Sequence, residues 1–359
     1  MAVVIDDLAL VILAHNNPGF LARSVDYYRD LKCHKIIADS SSQAIYSSET
    51  APAGYDYRHL PIGYYAKLRH VAATLTSPFV LAAGCDDFFV PEAMARFVAY
   101  LKAHPDVVSV SGQHIGFKAV NGNYGYFLKH SNEYLHLVAR GLTDNVYHRL
   151  STSLTPPYGL VYSVLRTEAW REVTGSQYTR SALTHTSLHD RYVPLILAAL
   201  GNIVVLPEFF LARSVVDTPV VYEGYGRIHI RELMVDWPAG AKDEYFRVLG
   251  SIADILHRNH GVPLPEGAAF VDGVFSRAIW GMQPWNERKA GGLSDGGGRA
   301  DAIDAELAVK GKLLVSRRDR MTTPFPEAEK LFPVYQAEAA VRDIQACVAR
   351  HPVERNGMR

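Results

Sequence analysis

One apolar run that stops abruptly in acids restricts the architecture of this chain more than any other stretch. Phe79-Val80-Leu81-Ala82-Ala83 passes through Gly84-Cys85 into Asp86-Asp87 and then Phe88-Phe89. With no polar residue alternating along it, the run reads as a strand covered on both faces, the habit of parallel sheets lined by helices. Open sheets of that kind bind ligands outside the carboxyl ends of their strands, so acids standing there can hold a divalent cation that bridges two phosphates. The alternative role for the pair is local, as a loop carboxylate capping the helix expected from Pro91-Glu92.

The segments around this run repeat its logic. Leu8 to Ala14 is an apolar strand closing at His15-Asn16-Asn17-Pro18. Asn17 suits the cap and Pro18 the first position of a helix in which Leu21, Val25, Tyr28 and Leu31 recur at helical spacing. Lys35 to Ala38 is a second strand, ending in Asp39-Ser40-Ser41-Ser42, which completes a βαβ unit. Tyr57 to Leu60 continues as a strand, Leu68, Val71, Ala72 and Leu75 as a helix, Met94, Phe97, Val98 and Leu101 as another, and Val107 to Val110 as a strand. Such alternation predicts an α/β fold with a doubly wound, mostly parallel sheet flanked by helices.

From Gly112 to Pro157 the periodicity fades, and Tyr124, Tyr126, Phe127, His130, Tyr134, His136, Tyr147 and His148 stand among Gly and Asn. Rings of this kind stack on the apolar faces of sugars, or they fill a small core of their own. Beyond it, Thr167 to Val173 and Leu188 to Leu200 read as helices, the second stopped by Gly201, and Ile203 to Leu206 and Phe209 to Ala212 as strands. Past Tyr225 the pattern is helical, with Val248, Leu249, Ile252, Ile255 and Leu256 on one face, a Gly-rich loop over Gly291–Gly298, and helices expected near Ala302–Leu314 and Glu327–Arg350. The expected division is therefore 1–224, a sheet domain, and 225–359, a mainly helical C-terminal extension.

Composition removes several function classes. The 359 residues carry 37 basic and 37 acidic side chains, so there is no overall basic footprint for nucleic acid. Three cysteines, Cys33, Cys85 and Cys347, are too few and too dispersed for a disulfide framework or a zinc cluster. Met1-Ala2-Val3-Val4-Ile5-Asp6-Asp7 lacks a basic leader, and no apolar stretch approaches the roughly 18 residues of a membrane span. The expectation is a cytoplasmic protein, with peripheral membrane association left open.

Four segments in this order resemble the family 2-like glycosyltransferases of GT-A fold. Ile12-Leu13-Ala14-His15-Asn16-Asn17-Pro18-Gly19-Phe20-Leu21 resembles their opening strand and turn, and Ile36-Ile37-Ala38-Asp39-Ser40-Ser41 their second strand. Asp86-Asp87 falls where their D-x-D motif falls, and Leu188-His189-Asp190-Arg191 resembles the later motif that supplies a base. A bacterial subgroup with three Asp before the Phe is similar, but Cys85 replaces the first of them, and a neutral thiol is a poor ligand for Mg²⁺ or Mn²⁺.

The resemblance implies a glycosyltransferase that moves a sugar from a nucleotide-sugar donor, UDP-linked first and CMP-linked second, to a glycan or glycoconjugate. It implies a metal-assisted, inverting displacement with Mn²⁺ or Mg²⁺ as cofactor. His15, Asn16, Asp39, Lys67 and Asp86 would bind the nucleotide, Asp87 and His229 the metal, and Asp190 would be the catalytic base. His189, His185 and Glu133 stand as alternative bases, and Arg69 and Arg213 as further phosphate contacts. With Cys85 in the motif, a non-catalytic nucleotide-sugar or glycan binding module is the competing reading. A nucleotidyltransferase is disfavoured, because His15-Asn16-Asn17-Pro18 replaces the Gly-rich, Arg-containing first loop it would need.

Overall fold

A computed structural model describes residues 2–47, 49–120, 123–128, 143–153, 162–180, 186–214, 240–275, 337–351 and 353. Among them a nine-stranded sheet forms, in the order β3-β2-β1-β4-β8-β6-β9-β5, with β7 pairing β6 off that path. The first half is β1 (Val4–Ala14), α1 (Pro18–Tyr27), β2 (Lys32–Asp39), β3 (Asp56–His59), α2 (Tyr64–Thr74), β4 (Phe79–Gly84), β5 (Phe88–Phe89) and α3 (Pro91–Ala103). Then come β6 (Val107–Val120), β7 (Asn123–Leu128), α4 (Val146–Ser153), β8 (Val164–Arg166), α5 (Thr167–Gly175), α6 (Gln177–Arg180), α7 (Thr186–Leu200) and β9 (Asn202–Ser214). The described remainder is helical: α8 (Ala241–His260), α9 (264–275) and α10 (Ala337–Arg350).

β1 organises the sheet. It pairs in parallel with β2 on one side and β4 on the other. Its residues alternate between two apolar layers, as a period of two demands. Leu8, Leu10 and Ile12 join α1, α3 and α10 residues such as Leu21, Phe97 and Ile344. Ala9 and Val11 join residues of α2, α5, α7 and α8 such as Val71, Trp170, Ile196 and Ile252. Helices on both faces explain why β1 and β4 carry unbroken apolar runs.

The sheet departs from simple winding in its second half. β8 is a three-residue strand antiparallel to both β4 and β6, and β5 is antiparallel to β9. These pieces are too short for a periodic signal. The strand expected over Val107–Val110 runs on to Val120 and turns back as β7, so Tyr124 and Tyr126 lie on a strand. Gly112 hides that continuation in the sequence: a Cβ there would lie 2.6 Å from the Glu208 carbonyl and 2.7 Å from Phe210 Cβ, so only glycine lets β9 approach. The two strands expected at Ile203–Leu206 and Phe209–Ala212 are the single β9, which passes Pro207 at a bulge between the Ser111↔Val205 and Gln113↔Phe209 pairs.

The C-terminal helix α10 closes the fold on α1. Val341, Ile344, Cys347 and Val348 are buried in the same core as Leu21 and Tyr28. Arg350 and His351 hold Asp26, Arg23 donates to the His351 carbonyl at 2.6 Å, and Val353 packs against Gly19. Burial works against the Asp26 carboxylate, but the hydrogen bond and charge of Arg350, with Arg29, outweigh it and hold its pKa below the usual range. No described helix is long and apolar enough to cross a membrane. His130, Tyr134, His136, the Gly291–Gly298 loop and the helix expected at 302–314 lie outside the described residues.

Tyr28 ties α1 to the strand beyond the acid pair, its buried phenolic oxygen accepting the Phe89 N–H at 2.8 Å. Tyr28→Phe leaves that buried N–H without its acceptor, a cost of about 1–3 kcal/mol. A urea titration should show the unfolding free energy falling by that amount, read as a lower midpoint with an unchanged slope.

Candidate functional site

Parallel pairing brings the chemistry together. In register, Ala14 stands beside Asp39, Asp39 beside His59, and Leu13 beside Gly84. The carboxyl ends of β3, β2, β1 and β4 therefore form one continuous mouth, at the edge where open sheets bind ligands.

His15 and Asn16 form the first part of the rim. Asn16 takes a left-handed backbone, φ 53°, which its short polar side chain tolerates. Its N–H donates to Ser41 Oγ at 2.7 Å, and its Oδ1 accepts the Ser42 N–H at 3.3 Å. His15 Nδ1 donates to the Ser40 carbonyl at 3.0 Å, which leaves Nε2 to accept from Asn16 Nδ2 at 3.2 Å. That pair of contacts selects one neutral tautomer. Asn17, expected as the helix cap, makes no side-chain capping bond, while Pro18 occupies the first turn.

Asp39 is wholly buried at the end of β2. Its Oδ1 accepts the Ser41 N–H at 2.9 Å and the Ser41 hydroxyl at 2.5 Å. Its Oδ2 accepts the Ile45 N–H at 3.0 Å and the Tyr57 hydroxyl at 2.6 Å. Burial raises its pKa, but the hydrogen bonds from Ser41, Tyr57 and Ile45 together hold it below the ordinary value. Next door, His59 Nε2 donates to the Ser41 carbonyl at 2.8 Å. Tyr57 and His59 are the residues that reading the sequence misses. Their alternate placement at the end of a strand following Asp39 is the only signal they give.

Lys67, on α2, lies beneath both loops. Its buried ammonium donates to the Ala14 carbonyl at 3.1 Å and to Ser40 Oγ at 2.9 Å. Burial pulls its pKa down to about 8, against the opposing pull of the Asp39 carboxylate. Arg69, two residues on, donates instead to the Thr179 carbonyl at 3.4 Å.

The acid pair occupies the other half of the mouth. A Cβ built on Gly84 would lie 2.9 Å from Asp86 Oδ1 and 3.3 Å from Asp87 Oδ2, so both carboxylates converge over the bare Cα of that glycine. Asp87 is buried, and its Oδ1 accepts the Ser214 N–H at 2.9 Å from the end of β9. Cys85 turns into the core beside Ile12 and Ala83, where burial pushes its thiol pKa up. Among the described residues no three His, Cys, Asp or Glu side chains gather as a metal cage. Two converging carboxylates suit a hard cation that takes its remaining ligands from phosphates and water. Asp86 and Asp87 fit that kind of site, and His229 lies outside the described residues.

Later in the chain, α7 begins at Thr186, which puts Asp190 in its second turn rather than at its start. Pro194 has no N–H to give the Asp190 carbonyl, so the helix lacks that bond. His189 Nδ1 is hydrogen-bonded to the Tyr65 hydroxyl, and the Tyr64 and Tyr65 rings meet it edge-on at 5.9 and 5.1 Å between centroids. The side chain of Asp190, with His185 and Glu133, is outside what is described. Arg213 lies over the Tyr162 ring, 5.0 Å from its centroid, one residue before the Ser214 that holds Asp87.

No protein-family model matches the chain, and no curated protein matches it in sequence. Solved structures do. S. aureus TarS 1-349 superposes at TM-score 0.50 with 11% identity, over 97% of this chain and 89% of that one. The same protein in complex with UDP-GlcNAc gives 0.48 at 12% identity, with the same coverage. The mannosyltransferase PcManGT from Pyrobaculum calidifontis, in complex with GDP-Man and Mn²⁺, gives 0.41 at 13% identity, over 97% and 89%. The fold is the GT-A-like α/β sheet flanked by helices.

The Lys67 ammonium makes stability depend on pH in a defined direction. Its folded pKa of about 8 lies below the ordinary 10.5, so between those values the unfolded chain binds more protons. Stability then rises with pH through that window. Comparing the wild type with Lys67→Met by denaturant titration at pH 7 and pH 10 should show the wild type gaining on the variant at the higher pH.

Proposed function

We propose that this protein is a glycosyltransferase that binds a nucleotide-sugar at the carboxyl ends of β1 to β4 and passes the sugar to a glycan or glycoconjugate. The observation that carries the reading is the convergence of Asp86 and Asp87 over Gly84, at the same mouth as the loops joined by Asp39 and Lys67. A leaving nucleoside diphosphate needs positive charge at its phosphates and a shaped pocket for its base and ribose. This mouth has carboxylates for a cation on one side and a hydrogen-bonded rim on the other.

In this reading the donor is UDP-linked, with a CMP-linked acidic sugar second. His15 and Asn16 edge the nucleotide, with Asp39 behind them. Lys67 is a fixed positive charge below the loops, and Asp86 contacts the ribose or steadies its own loop. Asp87, with the Ser214 N–H on one oxygen, would hold the cation through the other. When bound, Mn²⁺ or Mg²⁺ supplies charge neutralisation for the leaving diphosphate. Asp190 removes the proton from the acceptor hydroxyl as that oxygen attacks the anomeric carbon opposite the phosphate, which inverts the centre in one displacement. His189 is the alternative base, oriented by Tyr65.

Burial of Cys85 where an acid is expected favours one second reading, a module that binds a nucleotide-sugar without turning it over. Thermal unfolding with UDP-GlcNAc, GDP-mannose and CMP-sialic acid, each with and without Mn²⁺, tests both. A ligand at a hundred times its Kd stabilises by about 2.7 kcal/mol. The transferase reading expects a metal-dependent shift together with slow nucleotide release in the absence of acceptor. A shift without any release supports the module, and no shift with any donor removes both.

Two substitutions separate the roles. Asp87→Ala should abolish the Mn²⁺-dependent part of the thermal shift, measured from the variant's own unliganded melting temperature. Asp190→Asn should keep donor affinity and lower transfer by about 10²- to 10⁴-fold, the usual cost of losing a general base. Transfer at the wild-type rate in Asp190→Asn would reassign the base to His189.

A further inference from the structure

The carboxylate of Asp39 has no lone pair left for a ligand. An ionised carboxylate offers about four acceptor positions. Ser41 N–H, Ser41 Oγ–H, Ile45 N–H and the Tyr57 hydroxyl fill them at 2.9, 2.5, 3.0 and 2.6 Å. All four donors belong to the loop that follows Asp39 or to β3 beside it. The loop is fastened at two further points: the Tyr46 N–H donates to the Tyr57 oxygen at 3.2 Å, and His59 Nε2 donates to the Ser41 carbonyl at 2.8 Å. Tyr57 and His59 stand two residues apart on β3, so both reach the same side of it. What the loop leaves exposed is its outer edge, Ser42, Gln43 and Ala44, next to the exposed Asn16.

Resting on the reading of this mouth as a nucleotide site, we infer that Tyr57 and His59 are positioning residues for the nucleotide. They hold the 40–46 loop in its ligand-bearing form through Asp39 and Ser41, and Asp39 acts from behind that loop without touching the base. Base and ribose are then met by the Ser42–Gln43–Ala44 edge together with Asn16. Affinity comes from a loop already ordered before the ligand arrives, because a loop that must be ordered on binding subtracts its lost freedom from the binding free energy.

The inference predicts a sign that direct contact would reverse. Tyr57→Phe removes one donor from Asp39 Oδ2 and so frees a lone pair there. If Asp39 touched the base, that change would leave binding level or tighten it. If Tyr57 positions the loop, binding weakens by about tenfold, the size of one hydrogen bond to a charged group. UDP in the presence of Mn²⁺ is titrated calorimetrically into the wild type, Tyr57→Phe, His59→Ala and His59→Gln, and donor hydrolysis is followed with UDP-GlcNAc. The expected result is a rise in Kd for UDP and in KM for the donor in Tyr57→Phe and His59→Ala. Their kcat should stay at the wild-type value, their unliganded melting temperature should fall modestly for the hydrogen bonds each loses, and His59→Gln, whose amide can donate to the Ser41 carbonyl, should regain affinity. Wild-type or tighter UDP binding in both Tyr57→Phe and His59→Ala overturns the inference. So does a His59→Gln variant that recovers the unliganded melting temperature of the wild type but none of the affinity lost in His59→Ala. If the wild type itself binds neither UDP nor UDP-GlcNAc, the nucleotide reading of the mouth fails first and this inference with it.

Discussion

The mouth depends on β1 being hydrogen-bonded to parallel neighbours on both sides. Because its side chains alternate between two closed apolar layers, a slip of one residue would drive Leu8, Leu10 and Ile12 into the layer built for Ala9 and Val11. That volume mismatch pins the register. Once the register is pinned, Asp39, His59 and Gly84 have no choice of level: each arrives at the same edge because its strand does. The polar chemistry is positioned by apolar packing some distance below it.

The two halves of the edge are finished differently. Around Asp39 the chain satisfies its own polar groups almost completely, with His15, Asn16, Ser40, Ser41, Tyr57 and His59 all bonded to one another or to backbone. Lys67 fastens this half from below, between the first and second strand ends. Around Gly84, two carboxylates converge over one bare Cα, and the Ser214 N–H from the end of β9 steadies one of them. One half is thus fastened by hydrogen bonds between the loops and strand ends, and the other brings two acids together at the end of β4.

Much of this was legible in the chain and some could not be. The first four strands and the helices between them announce themselves because each is buried and periodic, and the acids and Asp39 stand out by ending apolar runs. β8 and β5 escape because three and two residues carry no period, and their antiparallel sense is settled by partners far away in sequence. The extension of β6 is concealed by Gly112, a residue chosen for the close approach of β9. At the edge, the partners of Asp39 were partly visible, since Ser41 stands two residues after it. Tyr57 was not, because its role comes from the parallel pairing of β2 with β3, which one residue's identity does not encode.

The docking of α10 on α1 has a consequence for how the chain is made. Arg23 and Asp26 bond to groups more than 320 positions later, and Gly19, three residues after Asn16, is covered by Val353. A ribosome releases the first βαβ unit long before it reaches those partners. Until residues 337–353 emerge, the flank of α1 that buries Ile344 and Val348 in the finished protein faces water. Contacts of such sequence separation form late and slowly, since a long loop must close before they reward it. The nascent chain therefore carries a sticky, half-covered N-terminal unit for most of its synthesis, the kind of surface that chaperones bind.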